Sequence, residues 1–178
     1  MRLFSGIMLE KDIREKIKSF IDRMKEVNAR VKWVEKDNLH ITLMFYGEVH
    51  GNGIDSIKEK LKAAANRDSF EVEFSGVGGF PDLDDPRVIW IDIKGGKEIV
   101  NIIEMVRNDK GRPREIIPHL TIGRVKGGRN KRELANMMKK EVDVNFGKMK
   151  IGSIQLIKST LTSKGAIYEV IESYQFKN

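Results

Sequence analysis

At 178 residues, 40% hydrophobic and 33% charged, the chain is an ordinary globular sequence long enough to bury a real interior. The absence of cysteine excludes disulfides, thiolate metal sites and a cysteine nucleophile, and suits a reducing cytoplasmic setting. No apolar run approaches a membrane span, Met1-Arg2-Leu3-Phe4 leads into a strand without signal-peptide architecture, and the net charge of +7 leans toward anionic partners.

In chain order, Leu3 to Leu9 reads as a buried strand. Ile13, Ile17, Phe20, Ile21, Met24 and Val27 recur at spacings of three and four, predicting an amphipathic helix with a charged outer face. Val31 to Val34 is a short extended piece and Glu35 to Asn38 a turn. A strand then runs from Leu39 to Tyr46. After Gly51-Asn52-Gly53 comes a helix with Ile54, Ile57, Leu61, Ala64 and Ala65 inward. Phe70 to Phe74 alternates as a strand with one wet face. Gly76 to Pro86, rich in breakers, reads as a loop. Val88 to Ile93 is again a strand, Gly95-Gly96 a turn, and Ile99, Ile102, Ile103 and Val106 mark a helix. Asn108 to Arg114 is a basic loop, and Pro118 opens a strand from His119 to Val125. A helix follows with Leu134, Met137 and Met138 inward, then an alternating strand over Val142–Phe146 that echoes Phe70–Phe74. Ile151–Lys158 and Ala166–Gln175 close the chain as a hairpin around Lys164-Gly165. The order strand, helix, strand, helix, strand thus occurs twice, giving one domain over residues 1–178 with approximate repeats 1–80 and 86–150 and a closing hairpin 151–178.

Each repeat carries the same phrase on its third element: His40-Ile41-Thr42-Leu43 and His119-Leu120-Thr121-Ile122. On a strand, alternation puts the imidazole and the hydroxyl on one face and the apolar pair on the other. A lone strand histidine is usually structural. A matched pair in a repeat reverses that reading, because two lobes about an approximate two-fold axis set the motifs across a cleft. With unperturbed pKa values near 6.5, one imidazole takes a proton from an attacking hydroxyl while the other protonates a departing oxygen. The two threonine hydroxyls then steady the charge on a phosphate. This suits displacement at phosphorus, with no metal or cofactor required.

Competing constellations are thin. The chain has no Walker A loop, nucleophile elbow, His-Glu-x-x-His or Rossmann glycine motif in its strand–helix context. Asp82, Asp84 and Asp85 could bind a hard cation, but Pro81 and Pro86 flank them and a solvated turn is favoured. His50, beside Gly51, reads as a surface histidine. Between Arg107 and Arg132, nine basic residues face only Asp109 and Glu115, so this stretch alone matches the net charge of the whole chain. It is either a solvated face or a field drawing a polyanion toward His119.

The two motifs, His40 to Gly47 and Pro118 to Arg124, resemble the signatures of the two-histidine phosphoesterase superfamily, and within it the RNA 2′,3′-cyclic phosphodiesterase or 2′-5′ RNA ligase (LigT-like) family. Gly78-Gly79-Phe80-Pro81, Pro86 to Trp90 and Lys158 to Leu161 carry the same flavour. The resemblance implies a bilobal α+β fold with pseudo-two-fold symmetry, antiparallel-rich sheets lining a central groove and helices outside. It implies hydrolysis of RNA 2′,3′-cyclic phosphate to a 2′-phosphate end, with 2′-5′ joining in some members. The partner is then an RNA with a cyclic phosphate end, tRNA-derived for instance, met by a monomer away from any membrane. His40 would be the general acid, His119 the general base, and Thr42, Thr121 and Arg124 would bind the phosphate. Strict alternation places Arg124 opposite His119, so it reaches the site only if the strand bulges near Gly123. Where relatives carry an aromatic, Glu115-Ile116-Ile117 precede Pro118, which leaves Tyr168, Phe45 and Trp33 as candidates to stack on a base. The same chemistry on a free cyclic nucleotide or 2′-5′ oligonucleotide, and RNA binding without catalysis, are the alternatives.

Overall fold

A computed structural model describes residues 1–107 and 115–178; the basic loop expected over Asn108–Arg114 lies outside the described residues. The first half supplies β1 (Arg2–Met8), α1 (Lys11–Lys25), β2 (Val31–Trp33), β3 (His40–Glu48), α2 (Gly53–Ala64) and β4 (Phe70–Phe80). The second supplies β5 (Val88–Lys94), α3 (Lys97–Val106), β6 (His119–Val125), α4 (Lys131–Lys140) and β7 (Asn145–Ile151), and the hairpin of β8 (Ser153–Thr162) and β9 (Gly165–Gln175) ends the chain.

Helix α1 forms where the three-and-four spacing predicts it. Ile13, Ile17, Phe20, Ile21 and Met24 are all buried, Asp12 lies in the first turn, and Arg23 and Lys25 lie in the last, each charge matching the helix dipole. Phe20 meets Phe146 of β7 edge-on at 5.4 Å. β1 is buried from Leu3 through Ile7, as a central strand covered on both faces must be.

The strands make two antiparallel sheets, ordered β3-β1-β8-β9 and β2-β6-β5-β4-β7. With β2 set aside, β3-β1-β8-β9 corresponds neighbour for neighbour to β6-β5-β4-β7. The motif strands β3 and β6 therefore hold equivalent places, and they touch each other. One continuous hydrophobic core includes Leu3 and Ile41 of the first sheet and Ile89 and Leu120 of the second. Each such buried aliphatic contributes about 1.5–3 kcal/mol. No described helix is long and apolar enough to cross a membrane.

Two expectations are corrected. Residues 76–80 are not loop but the second half of β4. Glycine serves there for close packing: a Cβ on Gly78 would lie inside the Trp90 indole, and Gly76, at φ +91°, sits where the β4–β5 register shifts. The strand read over Val142–Phe146 instead begins at Asn145, because Val142 is an exposed turn residue after α4 and β7 continues through Gly147 to Ile151. The echo of Phe70–Phe74 is thus only in pattern. β4 pairs directly with β7, and the strand that holds β4's place in the other sheet is β8.

Candidate active site

On β3, Ile41 and Leu43 are buried while His40 and Thr42 are half-buried; on β6, Leu120 and Ile122 are buried while His119 and Thr121 are half-buried. The alternation does what two-residue periodicity demands. Thr42 from one sheet and His119 and Thr121 from the other line a single cleft of about 280 Å³. His40 is not among the residues that line it, and is joined to it by Thr42, whose Oγ1 lies 2.9 Å from His40 Nε2.

Both imidazoles are held alike. His40 Nδ1 lies 2.7 Å from the carbonyl oxygen of Asn38, and His119 Nδ1 lies 2.7 Å from that of Ile117, two residues back in each case. A carbonyl oxygen only accepts, so each Nδ1 carries a hydrogen and each Nε2 is the nitrogen left for chemistry. Burial pushes the His40 imidazole below its usual pKa, and its hydrogen bond to the Asn38 carbonyl opposes that. The resting His40 is therefore biased toward the neutral form, with Nε2 accepting from the Thr42 hydroxyl.

Aromatic rings wall both histidines. Phe4 lies 4.8 Å from His40 and Tyr168 stands edge-on to it at 5.3 Å. Phe80 stands edge-on to His119 at 5.1 Å, with Trp90 at 6.3 Å. Gly6 makes the first arrangement possible, since a Cβ there would come within 2.8 Å of the Ile41 carbonyl and 3.4 Å of the His40 ring. Of these rings only Tyr168 is a site candidate on sequence grounds. Phe80 and Trp90 stand in stretches that carry the resemblance alone, and no local signal in the sequence ties them to His119. Arg107 and Glu115 complete the cleft wall. Phe45, an expected stacking candidate, is 61% exposed, with its ring 5.8 Å from Phe4.

The bulge on which Arg124 depends is present. Ile89 pairs with Gly123 and Trp90 with Thr121, which leaves Ile122 as the extra residue of β6. Ile122 and Gly123 are consequently both buried, and Arg124 turns outward. The extra residue puts it on the same side of β6 as His119 and Thr121, where it lines a second cavity with Asn38 and Tyr168. Burial raises the Tyr168 phenol pKa, and the charges of Arg2 and Arg124 counter it.

The remaining candidates fall elsewhere. His50 is exposed. Asp82 Oδ1 accepts from the backbone N–H groups of Asp84 and Asp85, and these two pair with Lys139 and Lys131 of α4, so the acidic group is a turn pinned to a helix. Among the described residues no cluster of three His, Cys, Asp or Glu side chains is placed to hold a metal ion. Of the nine basic residues between Arg107 and Arg132, Lys110, Arg112 and Arg114 lie outside the described residues. Lys131 is committed to Asp85, and Arg129 donates to the Asn28 carbonyl.

The model of the LigT like Phosphoesterase family matches residues 7–90. A protein of Methanocaldococcus jannaschii named RNA 2′,3′-cyclic phosphodiesterase is 40% identical over 182 residues, spanning 98% of this chain and 100% of its own length. Its namesake in Archaeoglobus fulgidus is 36% identical over 184 residues, with the same 98% and 100% coverage. Among solved structures, TT0787 of Thermus thermophilus superposes with a TM-score of 0.77 at 23% identity, covering 99% of this chain and 98% of that one. E. coli LigT in apo form gives 0.77 at 21% identity with the same coverage, a likeness of fold. The end-to-end identity carries what the fold alone does not: the chain belongs to the LigT-like phosphoesterase family.

Proposed function

We propose that the protein hydrolyses RNA 2′,3′-cyclic phosphate ends to 2′-phosphate ends, with His40 as general acid and His119 as general base. The supporting observation is the convergence of the two motifs: Thr42, hydrogen-bonded to His40 Nε2, shares one cleft with His119 and Thr121. The relatives' name, RNA 2′,3′-cyclic phosphodiesterase, supports the same substrate.

In this reading the cyclic phosphate lies between the two Nε2 atoms, its non-bridging oxygens on the Thr42 and Thr121 hydroxyls. His119 Nε2 removes a proton from water as the water oxygen bonds to phosphorus. The bond from phosphorus to the 3′ oxygen breaks, and His40 Nε2 delivers its proton to that oxygen. The products are a 2′-phosphate and a 3′ hydroxyl, and proton exchange with solvent resets the pair. Burial works against a resting imidazolium at His40, so the anionic phosphate itself favours loading that proton. A 5′ hydroxyl in the place of water gives a 2′-5′ linkage by the same transfers.

Incubating an RNA oligomer carrying a 2′,3′-cyclic phosphate with the protein in EDTA tests this, with the ends read by mass and by phosphatase sensitivity. A gain of one water, yielding a phosphatase-sensitive 2′-phosphate, is expected. His40→Ala and His119→Ala should each lose about 10²–10⁴ in turnover while keeping the wild-type circular dichroism spectrum. Full activity in either variant overturns the reading.

A further inference from the structure

The second cavity, about 570 Å³ against about 280 Å³ for the cleft, has no part in the proton transfers. It lies between β2, the end of β6 and the tip of the β8–β9 hairpin, and it adjoins His40. Asn38, whose carbonyl fixes His40 Nδ1, lines it and donates from Nδ2 to the Ala166 carbonyl at 2.9 Å. Tyr168, edge-on to His40, forms its inner wall.

Its charge is one-sided. Lys25, Lys32, Arg124, Lys126 and Lys164 line it against the single carboxylate of Glu35. Lys32 lies directly across from Arg124 in the β2–β6 ladder, a like-charge cross-strand pair that costs stability unless an anion sits between them. Among the described residues none of Lys32, Arg124, Lys126 and Lys164 has a carboxylate within 4.0 Å, whereas nearby Lys36 pairs with Glu15 and Arg14 with Asp37. The wall also carries Trp33, opposite Gly123 in the ladder. A Cβ on Gly123 would come within 2.8 Å of the indole, so the glycine is what lets the ring lie against β6. Unpaired cations beside aromatic rings are the chemistry that binds single-stranded nucleic acid: cations for phosphates, rings for bases.

A 2′,3′-cyclic phosphate exists only at the 3′ end of an RNA, so the rest of the strand extends in the 5′ direction from it. We propose that this basic, aromatic cavity seats the nucleotides on the 5′ side of the cyclic phosphate and so makes the protein prefer an oligonucleotide to a free cyclic nucleotide. The inference rests on the cyclic phosphodiesterase reading and extends it to substrate length.

The test compares kcat/KM for a single-stranded five-nucleotide RNA ending in a 2′,3′-cyclic phosphate with that for a mononucleoside 2′,3′-cyclic phosphate, across a range of salt. The variant is Lys32→Gln combined with Lys126→Gln, both exposed positions. Fluorescence anisotropy of the same oligomer ending in a 2′-phosphate is measured in parallel. The wild type should favour the oligomer, increasingly at low salt. In the double variant that preference should shrink about tenfold, and the slope of log affinity against log salt should flatten by about 1.4, near 0.7 per cation lost. Equal use of both substrates by the wild type, or a double variant with undiminished preference and slope, overturns the proposal while leaving the cyclic phosphodiesterase reading intact. If neither substrate is opened, that reading fails. The anisotropy slope then decides the cavity alone: a flattened slope supports strand binding, and an unchanged slope refutes it.

Discussion

The hydrogen bond between Thr42 Oγ1 and His40 Nε2, 2.9 Å long, reverses direction with the state of the ring. Neutral His40 accepts from the hydroxyl; protonated His40 donates to it, and the Thr42 hydrogen becomes free for a phosphate oxygen. In the proposed mechanism, loading the acid and arming the phosphate donor are thus one event. If His40 protonates the departing 3′ oxygen, replacing that oxygen by sulfur, which leaves without a proton, should return most of the rate lost in His40→Ala and little of that lost in His119→Ala. The opposite pattern would exchange the two roles. Stability follows the same residue. Burial lowers the folded-state pKa of His40, so below about 6.5 the unfolded chain binds the proton more readily than the folded one. Urea denaturation should show stability falling as pH drops through 6.5 toward the lower folded value, and His40→Asn should lack that share of the fall.

Elements that follow a clean period were legible from the chain. Helix α1 and the motif strands have buried positions where the spacing of three and four, or of two, puts them. The misread loop arose where glycine does something other than break structure. In β4, Gly78 makes room for the Trp90 indole, which in turn walls His119. Gly78→Ala should therefore destabilise the protein by about 1–3 kcal/mol through overpacking and also lower kcat, because the ring it displaces stands beside a proposed catalytic base. Denaturant melts and steady-state kinetics on the same preparation would check both, and an unaffected kcat would separate Trp90 from the site. In β6 the extra residue, Ile122, turns Arg124 toward the second cavity. Strict alternation sends it the other way, and a bulge depends on the partner strand β5, some thirty residues earlier in sequence.

In the whole molecule, β4 leaves the first half of the chain to join the second sheet, and β8 follows the second half to join the first. The core runs without a break through both sheets, so they should unfold together. Trp33 and Trp90 both lie in the second sheet, whereas far-ultraviolet circular dichroism reports on both. The two signals should give one coincident urea transition, with an m-value of about 1–3 kcal/mol/M. Separate midpoints would show sheets that stand alone. The amino-acid sequence by itself determined the periodic elements and the doubled His-x-Thr pattern, because these depend on residues within a few positions of one another. Only the tertiary structure decided which rings wall each imidazole, which sheet each strand joins, and which basic side chains gather in the cavity next to His40. Those are contacts between residues far apart along the chain, settled by packing and charge after the strands have found their neighbours.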